Sequence, residues 1–119
     1  MKGIDKGIKY DTFESEMKKV EKYQTSNGEV PFDRWFDELD STSQNKIFAY
    51  INRVRVGGGQ KNIKPVGNGV FEIKIDHGPG YRVYFGQVGN VLILLLLGGD
   101  KKTQSRDIKK AQTYWEAYE

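Results

Sequence analysis

Cysteine is absent from this chain of 119 residues, and His77 is its only histidine. Without cysteine the protein cannot form a disulfide bond, a thiolate zinc site or a thiol nucleophile. A single imidazole also excludes a metal site built from several histidines. We therefore expect neither a metal ion nor another cofactor.

Long apolar segments are missing as well. The apolar run at residues 91–97 is far shorter than the roughly 20 residues of a membrane-spanning helix. The first 16 residues are polar and carry charges of both signs, unlike a signal peptide. We expect a cytoplasmic protein that does not associate with a membrane.

No familiar catalytic signature is present. The sequence lacks a phosphate-binding glycine loop ending in Lys-Ser or Lys-Thr, a dinucleotide fingerprint, a nucleophile elbow and an EF-hand loop. Any chemistry must therefore come from ordinary side chains that the fold brings together.

The chain length predicts a single domain. Residues 1–16 show neither the period of a helix nor that of a strand, so we expect an N-terminal extension followed by one domain over residues 17–119. A weak edge strand is predicted at residues 18–25, and an irregular connection at residues 61–69, which contain Pro65.

A β-hairpin is predicted around the Gly-Pro-Gly turn at residues 78–80. Polar and apolar residues alternate in both flanking segments, 71–75 and 81–85, so each has one face for the core. Cross-strand pairing brings the two polar faces together. That shared face would carry three neighbouring polar side chains: Lys74, Arg82 and Tyr84. Residues 91–97 have no polar face, which predicts a central strand covered on both sides.

Three amphipathic helices are predicted around this sheet. Apolar residues recur at helical spacing from Phe32 to Leu39 and from Ile47 to Val54. Pro31 can occupy the first position of one helix, and Ser41 with Gln44 matches a capping box for the next.

The third helix is predicted to begin after Thr103 as N-cap and to bury a stripe that runs from Ile108 to Tyr118. Together these elements predict an α+β fold. A small, mostly antiparallel β-sheet packs against an N-terminal helical hairpin, and a C-terminal helix follows.

The formal net charge is +3, but the cations cluster: residues 101–110 contain five basic residues and one acidic residue, Asp107. Such a segment is compatible with a polyanionic partner. A solvated helix face accounts for the same segment and is the favoured interpretation without other evidence.

Cations and phenols are the candidates for chemistry on the predicted sheet. They suit RNA cleavage by the 2′-hydroxyl group of the RNA, which needs a base, an acid and cations around the pentavalent phosphorane. Tyrosine can stack on a base. The candidate catalytic residues are Lys74, Arg82, Lys101 and Lys102. The candidate RNA contacts are Tyr81, Tyr84, His77, Arg106, Lys109 and Lys110.

A purely structural interpretation accounts for the same residues. Solvent-facing sheets routinely carry lysine, arginine and tyrosine, and His77 lies in a turn where many polar residues would serve. Histidine has the ordinary pKa for acid–base work, but that property alone assigns no role. Residue types alone favour this structural interpretation over a catalytic role.

Several segments resemble a known family. GVFEIKIDHGPGYRVYF at residues 69–85 and LLLLGGDKKTQSRDIKKA at residues 94–111 are similar to the phage-derived, HigB-type branch of the RelE/ParE toxin superfamily. PFDRWFDEL at residues 31–39 and KNIKPVGNG at residues 61–69 fit the same pattern. The resemblance covers about residues 17–118.

The resemblance implies a RelE-like fold and the toxin of a type II toxin–antitoxin pair. It implies a metal-independent, ribosome-dependent mRNA endonuclease, neutralised by a small antitoxin with a helix-turn-helix domain. Arg82 matches the arginine of the family's Gly-Tyr-Arg segment, Lys74 the lysine one strand earlier, and Lys101 with Lys102 the basic pair after the apolar strand. One departure is Ile108, at the position where the type member has a base-stacking tyrosine.

Two other functions remain open at this stage. The same scaffold occurs in ParE-like inhibitors of DNA gyrase, which do not need the Lys-Arg-Tyr face. The chain could also be a non-catalytic remnant that binds RNA or an antitoxin.

Overall fold

The structure is a computed structural model that describes residues 17–118. In chain order its elements are β1 (Lys19–Lys22), α1 (Pro31–Phe36), α2 (Ser41–Arg55), β2 (Ile63–Gly67), β3 (Val70–Ile75), β4 (Tyr81–Val88), β5 (Leu92–Asp100) and α3 (Gln104–Tyr118). The expected extension at residues 1–16 lies outside the described residues.

The five strands form one sheet in the order β1–β5–β4–β3–β2. β1 runs parallel to β5, and the other neighbours are antiparallel. The α+β class, the hairpin of β3 with β4, and the edge strand near residues 18–25 are confirmed. The prediction that residues 91–97 form the central strand is wrong, because β4 lies at the centre and β5 beside it.

Helices cover both faces of the sheet. On one face α1 and α2 contribute Phe32, Ile47 and Ile51 to a core that includes Ile73, Val83 and further apolar residues of the strands. On the other face α3 contributes Ala111 and Trp115 to a second core. β5 is therefore buried on both sides, as its apolar sequence predicts.

The helical hairpin begins as predicted at Pro31, the first residue of α1. The capping box at Ser41 is wrong, because Asp40 caps α2 and accepts hydrogen bonds from the backbone N–H and the hydroxyl of Ser43 at 3.1 and 2.7 Å. Gln44 instead donates to the carbonyl of Phe36 at 2.8 Å. Phe48 lies off the buried stripe and is 48% exposed.

A short 3₁₀ turn, Lys101–Thr103, joins β5 to α3. Asp100 caps this turn, since its carboxylate accepts the N–H groups of Lys102 and Thr103 at 2.9 and 3.1 Å. α3 therefore begins directly after Thr103, as predicted, but the capping carboxylate belongs to Asp100, one 3₁₀ turn earlier. The cap matters for the site because it fixes Lys101 and Lys102 at the end of the sheet.

Residues 61–69 do not form the predicted irregular connection. Most of them form β2, an edge strand antiparallel to β3 with a bulge between Pro65 and Gly67. Proline is tolerated there because it lies at an edge beside a bulge. Within residues 17–118 no helix is both long and apolar enough to span a bilayer.

Candidate functional site

The polar face of the hairpin is covered by α3. Lys74 and Arg82 are cross-strand partners, as are Glu72 and Tyr84, so the predicted grouping is present. However, Arg82 is only 6% exposed and Tyr84 is fully buried. The expectation that both lie on a solvent-facing surface is wrong, and Lys74 is the exposed member of the set.

Arg82 is engaged by groups of the protein itself. Its Nη1 donates to the carbonyl of Gly80 at 2.5 Å, and its Nε lies 3.7 Å from Oε1 of Glu72. Glu72 also accepts a hydrogen bond from Nε2 of Gln104 at 2.7 Å, which joins the sheet to α3. Arg82 therefore stabilises the turn at residues 78–80 and is itself covered by α3.

Sequence reasoning missed Glu72 as part of this cluster, although its alternation places it on the same strand face as Lys74. The sequence feature that could have revealed Glu72 is a carboxylate that pairs across the strands with Tyr84 and lies two residues from Lys74. A charged residue of this kind in a half-buried strand requires a partner when a helix covers it.

Tyr84 lies at the bottom of the cluster. Among residues 17–118 its hydroxyl has no hydrogen-bond partner. Burial, and then the negative charge of Glu72, raises the pKa of Tyr84 well above its ordinary value. The phenol is therefore neutral, and its ring cannot stack on a base while α3 is in place.

Three of the four candidate catalytic residues meet at one end of the sheet. A Cβ placed on Gly80 would lie 3.0 Å from Nη1 of Arg82 and 3.5 Å from Cβ of Lys101. Lys74 is the cross-strand partner of Arg82. We call Lys74, Arg82 and Lys101 the turn cluster. Lys102 follows on the same 3₁₀ turn and is exposed.

The aromatic candidates in the hairpin form part of the fold. Tyr81 is 9% exposed and contacts Trp35 edge to face, with ring centroids 5.9 Å apart. His77 stacks on the other side of Tyr81 at 6.3 Å and is partly exposed. His77 is thus the accessible ring at this turn.

The basic residues of α3 point in two directions. Arg106 and Lys110 line a groove between α1 and α3. Lys109 lines a different, polar pocket beside Asn68 and Gln112. The predicted RNA contacts on this helix therefore do not form one surface.

The groove between α1 and α3 follows the edge of β5 and has a volume of about 500 Å³. Trp35 forms part of one wall and Tyr114 part of the other, with Leu97, Gly98 and Gly99 between them. Within residues 17–118 no group of three or more acidic or histidine side chains is arranged to hold a metal ion.

Several known proteins are similar to this chain. An uncharacterized protein of Haemophilus influenzae is 46% identical over 84 residues, which cover 70% of this chain and 84% of that protein. A chain in the crystal structure of the intact E. coli RelBE toxin–antitoxin complex is similar with a TM-score of 0.45 and 15% identity, over 71% of this chain and 94% of that one.

The family model described as phage derived protein Gp49-like (DUF891) matches residues 34–116. This range runs from α1 through all of α3 except its last two residues, and it includes the whole turn cluster. The chain therefore belongs to the family of phage-derived, Gp49-like proteins.

Proposed function

We propose that this protein is the toxin of a type II toxin–antitoxin pair and that it cleaves mRNA on the ribosome. The observation that supports this proposal is the turn cluster, which gathers the exposed Lys74 and Lys101 and the buried Arg82 at one end of the sheet. The resemblance of residues 69–85 and 94–111 to the HigB-type branch supports the same function. Action on translating ribosomes implies a cytoplasmic protein.

The cluster suits attack by the RNA 2′-oxygen on the adjacent phosphorus. A neutral lysine amine would take the 2′-hydroxyl proton, the bond from phosphorus to the 5′ oxygen would break, and an ammonium group would protonate that leaving oxygen. The phosphorane gains negative charge, which the ammonium groups of Lys74 and Lys101 would neutralise. Of the two lysines on the 3₁₀ turn, Lys101 would act as a transition-state cation and Lys102, as a neutral amine, as the base. Arg82, whose side chain is 8% exposed, adds positive potential and positions the turn, while the exposed lysines contact the substrate.

The proposal includes a protein partner that neutralises the toxin. A small antitoxin with a helix-turn-helix domain is the expected partner from the family resemblance. An acidic or amphipathic segment of that antitoxin would be attracted to the cations at the turn cluster.

The test is cleavage of a message in a purified translation system, read by primer extension. Lys74→Ala/Lys101→Ala should lower the cleavage rate by about 100-fold or more, because two transition-state cations are lost. Lys109→Ala is the matched control, since Lys109 lies in a separate pocket. Cleavage by the double variant at the wild-type rate would contradict the site, and an intact message with the wild-type protein would contradict the function.

Arg82 is a poor probe of chemistry because its removal would also take away the buried cation beside Glu72 and leave the exposed Lys64, 3.9 Å away, as the ion-pair partner of that carboxylate. The unfolding midpoint of each variant is therefore measured beside its cleavage rate. A supercoiling assay with DNA gyrase on the same wild-type preparation separates the nuclease from a gyrase inhibitor.

A second candidate function is a non-catalytic module that retains only partner binding. The observation that favours it is the burial of Arg82 and Tyr84, which withholds a guanidinium and a phenol from any substrate. Harmless overexpression together with intact antitoxin binding would support this candidate over the nuclease.

A further inference from the structure

The groove between α1 and α3 contains an open stretch of sheet edge. β1 pairs with β5 only from Leu92 to Leu95. The last backbone bond in this direction runs from the N–H of Tyr23 to the carbonyl of Leu95, at 2.9 Å. The chain then leaves the sheet toward α1, and no described strand pairs with this edge of β5 beyond Leu95.

Gly98 presents its backbone to this open edge. Residues of one strand whose side chains share a face also direct their N–H and C=O groups to the same edge. Leu95 faces the α1–α2 side and bonds toward β1. Gly98 faces the same side, against Trp35, so its N–H and C=O point into the groove.

A β-bulge in β5 produces this orientation of Gly98. The register between β4 and β5 shifts at Tyr84 and Phe85, leaving Leu96 as the extra residue. Leu96 and Leu97 therefore both face α3, and Gly98 returns to the α1 side. The backbone of Gly98 has no backbone partner at this edge among residues 17–118.

Two glycines keep the floor of the groove narrow and free of side chains. A Cβ on Gly98 would overlap the ring of Trp35, and one on Gly99 would overlap the carboxylate of Asp107. The strand is thus held between α1 and α3, and the floor of the groove consists of main chain, with Gly98 and Gly99 themselves buried. An unpaired edge of this kind is a template for another strand.

The charges on the two walls differ. On the α1 side Arg34 is paired with Glu29 at 3.2 Å, and Glu38 adds an exposed carboxylate. On the α3 side the buried Asp107 accepts the hydroxyl of Thr103 at 2.5 Å, and its Oδ1 lies 3.6 Å from Nε of Arg106. The exposed Arg106 and Lys110 together still outnumber Asp107 by one positive charge. The α3 wall is therefore positive toward an incoming segment.

We propose that this groove binds an extended segment of a protein partner, which adds as a β-strand beside Gly98 and places acidic side chains against Arg106 and Lys110. The main-chain hydrogen bonds would provide the affinity for an extended segment. The positive charge of the α3 wall would provide the preference for acidic residues. The surface is separate from the turn cluster, and the proposal does not depend on RNA cleavage.

A peptide fits the floor better than RNA does. Gly98 offers one donor and one acceptor side by side, which an extended peptide matches with its own C=O and N–H. RNA offers acceptors on its phosphates and one 2′-hydroxyl donor per nucleotide, but it lacks the N–H and C=O groups at strand spacing with which a peptide continues a ladder.

The test uses two end-blocked heptapeptides, one alternating valine with glutamate and one alternating valine with lysine. In the Trp115→Phe background Trp35 is the only tryptophan of the chain, so its fluorescence reports occupancy of the groove. The glutamate peptide should bind at least about tenfold more tightly than the lysine peptide. In the wild-type chain it should slow amide exchange at Gly98 by about tenfold.

Charge variants then locate the binding. Arg106→Glu/Lys110→Glu should weaken the glutamate peptide by about tenfold or more, whereas Lys109→Glu, one position away but in the other pocket, should leave it nearly unchanged. Failure of both peptides to saturate, or equal loss in the control, would overturn the proposal. Protection of Gly98 by a seven-nucleotide RNA and by neither peptide would overturn it in favour of a nucleic-acid groove.

Discussion

Glu72 and Arg82 lie side by side beneath α3, with Oε1 of the carboxylate 3.7 Å from Nε of the guanidinium. Both side chains are almost fully buried, and Nε has no hydrogen-bond partner among residues 17–118. The pair is therefore held by charge and by separate bonds to Gly80 and Gln104. Removing Glu72 would leave a buried guanidinium without its carboxylate, and removing Arg82 would leave Glu72 with the exposed Lys64, 3.9 Å away, as its ion-pair partner. Either change is costly in a protein interior.

Arg82→Ala is accordingly expected to destabilise the fold. We expect the free energy of unfolding to fall by about 3 kcal/mol, the usual cost of breaking a buried ion pair from one side. Lys74→Ala, on the neighbouring strand but exposed, should change it by less than about 0.5 kcal/mol. Urea denaturation measures both. Equal effects would show that Arg82 does not stabilise the sheet.

Trp115 packs its indole ring directly against the backbone of Gly86 in β4, where a Cβ would overlap the ring. Gly86→Ala should lower the free energy of unfolding by about 1–3 kcal/mol through overpacking. In Gly86→Ala/Trp115→Leu the loss should be smaller than the sum of the two single losses, because the clash is gone. Gly58→Ala is the comparison: its Cβ would lie 3.3 Å from the carbonyl oxygen of Arg53, a tight contact without overlap, so the loss should be smaller than in Gly86→Ala. Additive losses would contradict the packing.

Local patterns predicted the hairpin of β3 and β4 because alternation is a property of the strand itself. β2 was not predicted, because Pro65 and the flanking glycines obscure the pattern of a short edge strand. The apolar run of β5 predicted burial on both faces but not its neighbours, since the parallel pairing with β1 joins segments about 70 residues apart.

The polar face of the hairpin shows why the site was harder to predict than the fold. Glu72, Arg82 and Tyr84 have the composition of a solvent-facing surface, yet α3 covers them. The polarity of a residue does not show whether it is solvated or buried. A polar side chain can make its hydrogen bonds to water at a surface or to another polar side chain in the interior. The grouping of Lys74 with Arg82 was predictable from cross-strand register, while the accessibility of Arg82 was not.

Gln104 ties the first turn of α3 to the sheet through its 2.7 Å bond to Glu72. Gln104→Ala leaves that carboxylate without its amide donor, so amide exchange in the first turns of α3 should become about tenfold faster. Exchange in α2 should not change. Thr113→Ala is the control, because its exposed hydroxyl contacts only the carbonyl of Lys109 within α3. Unchanged exchange in α3 would show that other contacts hold the helix.

Tyr84 makes stability depend on alkaline pH. Burial, followed by the negative charge of Glu72, raises the pKa of its phenol in the folded state. Below pH about 10 the phenol is neutral in both states, so it adds no pH dependence. Above pH about 10 the unfolded chain releases this proton first, and stability falls by up to about 1.4 kcal/mol per pH unit until the folded phenol also ionises.

Tyr84→Phe removes this contribution and leaves the rest of the chain intact. Near pH 8 its free energy of unfolding should stay close to wild type, because the hydroxyl has no hydrogen-bond partner to lose. From pH 9 to pH 11 wild type should lose stability faster than Tyr84→Phe, since only wild type carries the buried phenol. Urea titrations at each pH measure the difference. Parallel curves would mean that Tyr84 ionises as readily in the folded protein as in the unfolded chain, and therefore that α3 does not seal it from water.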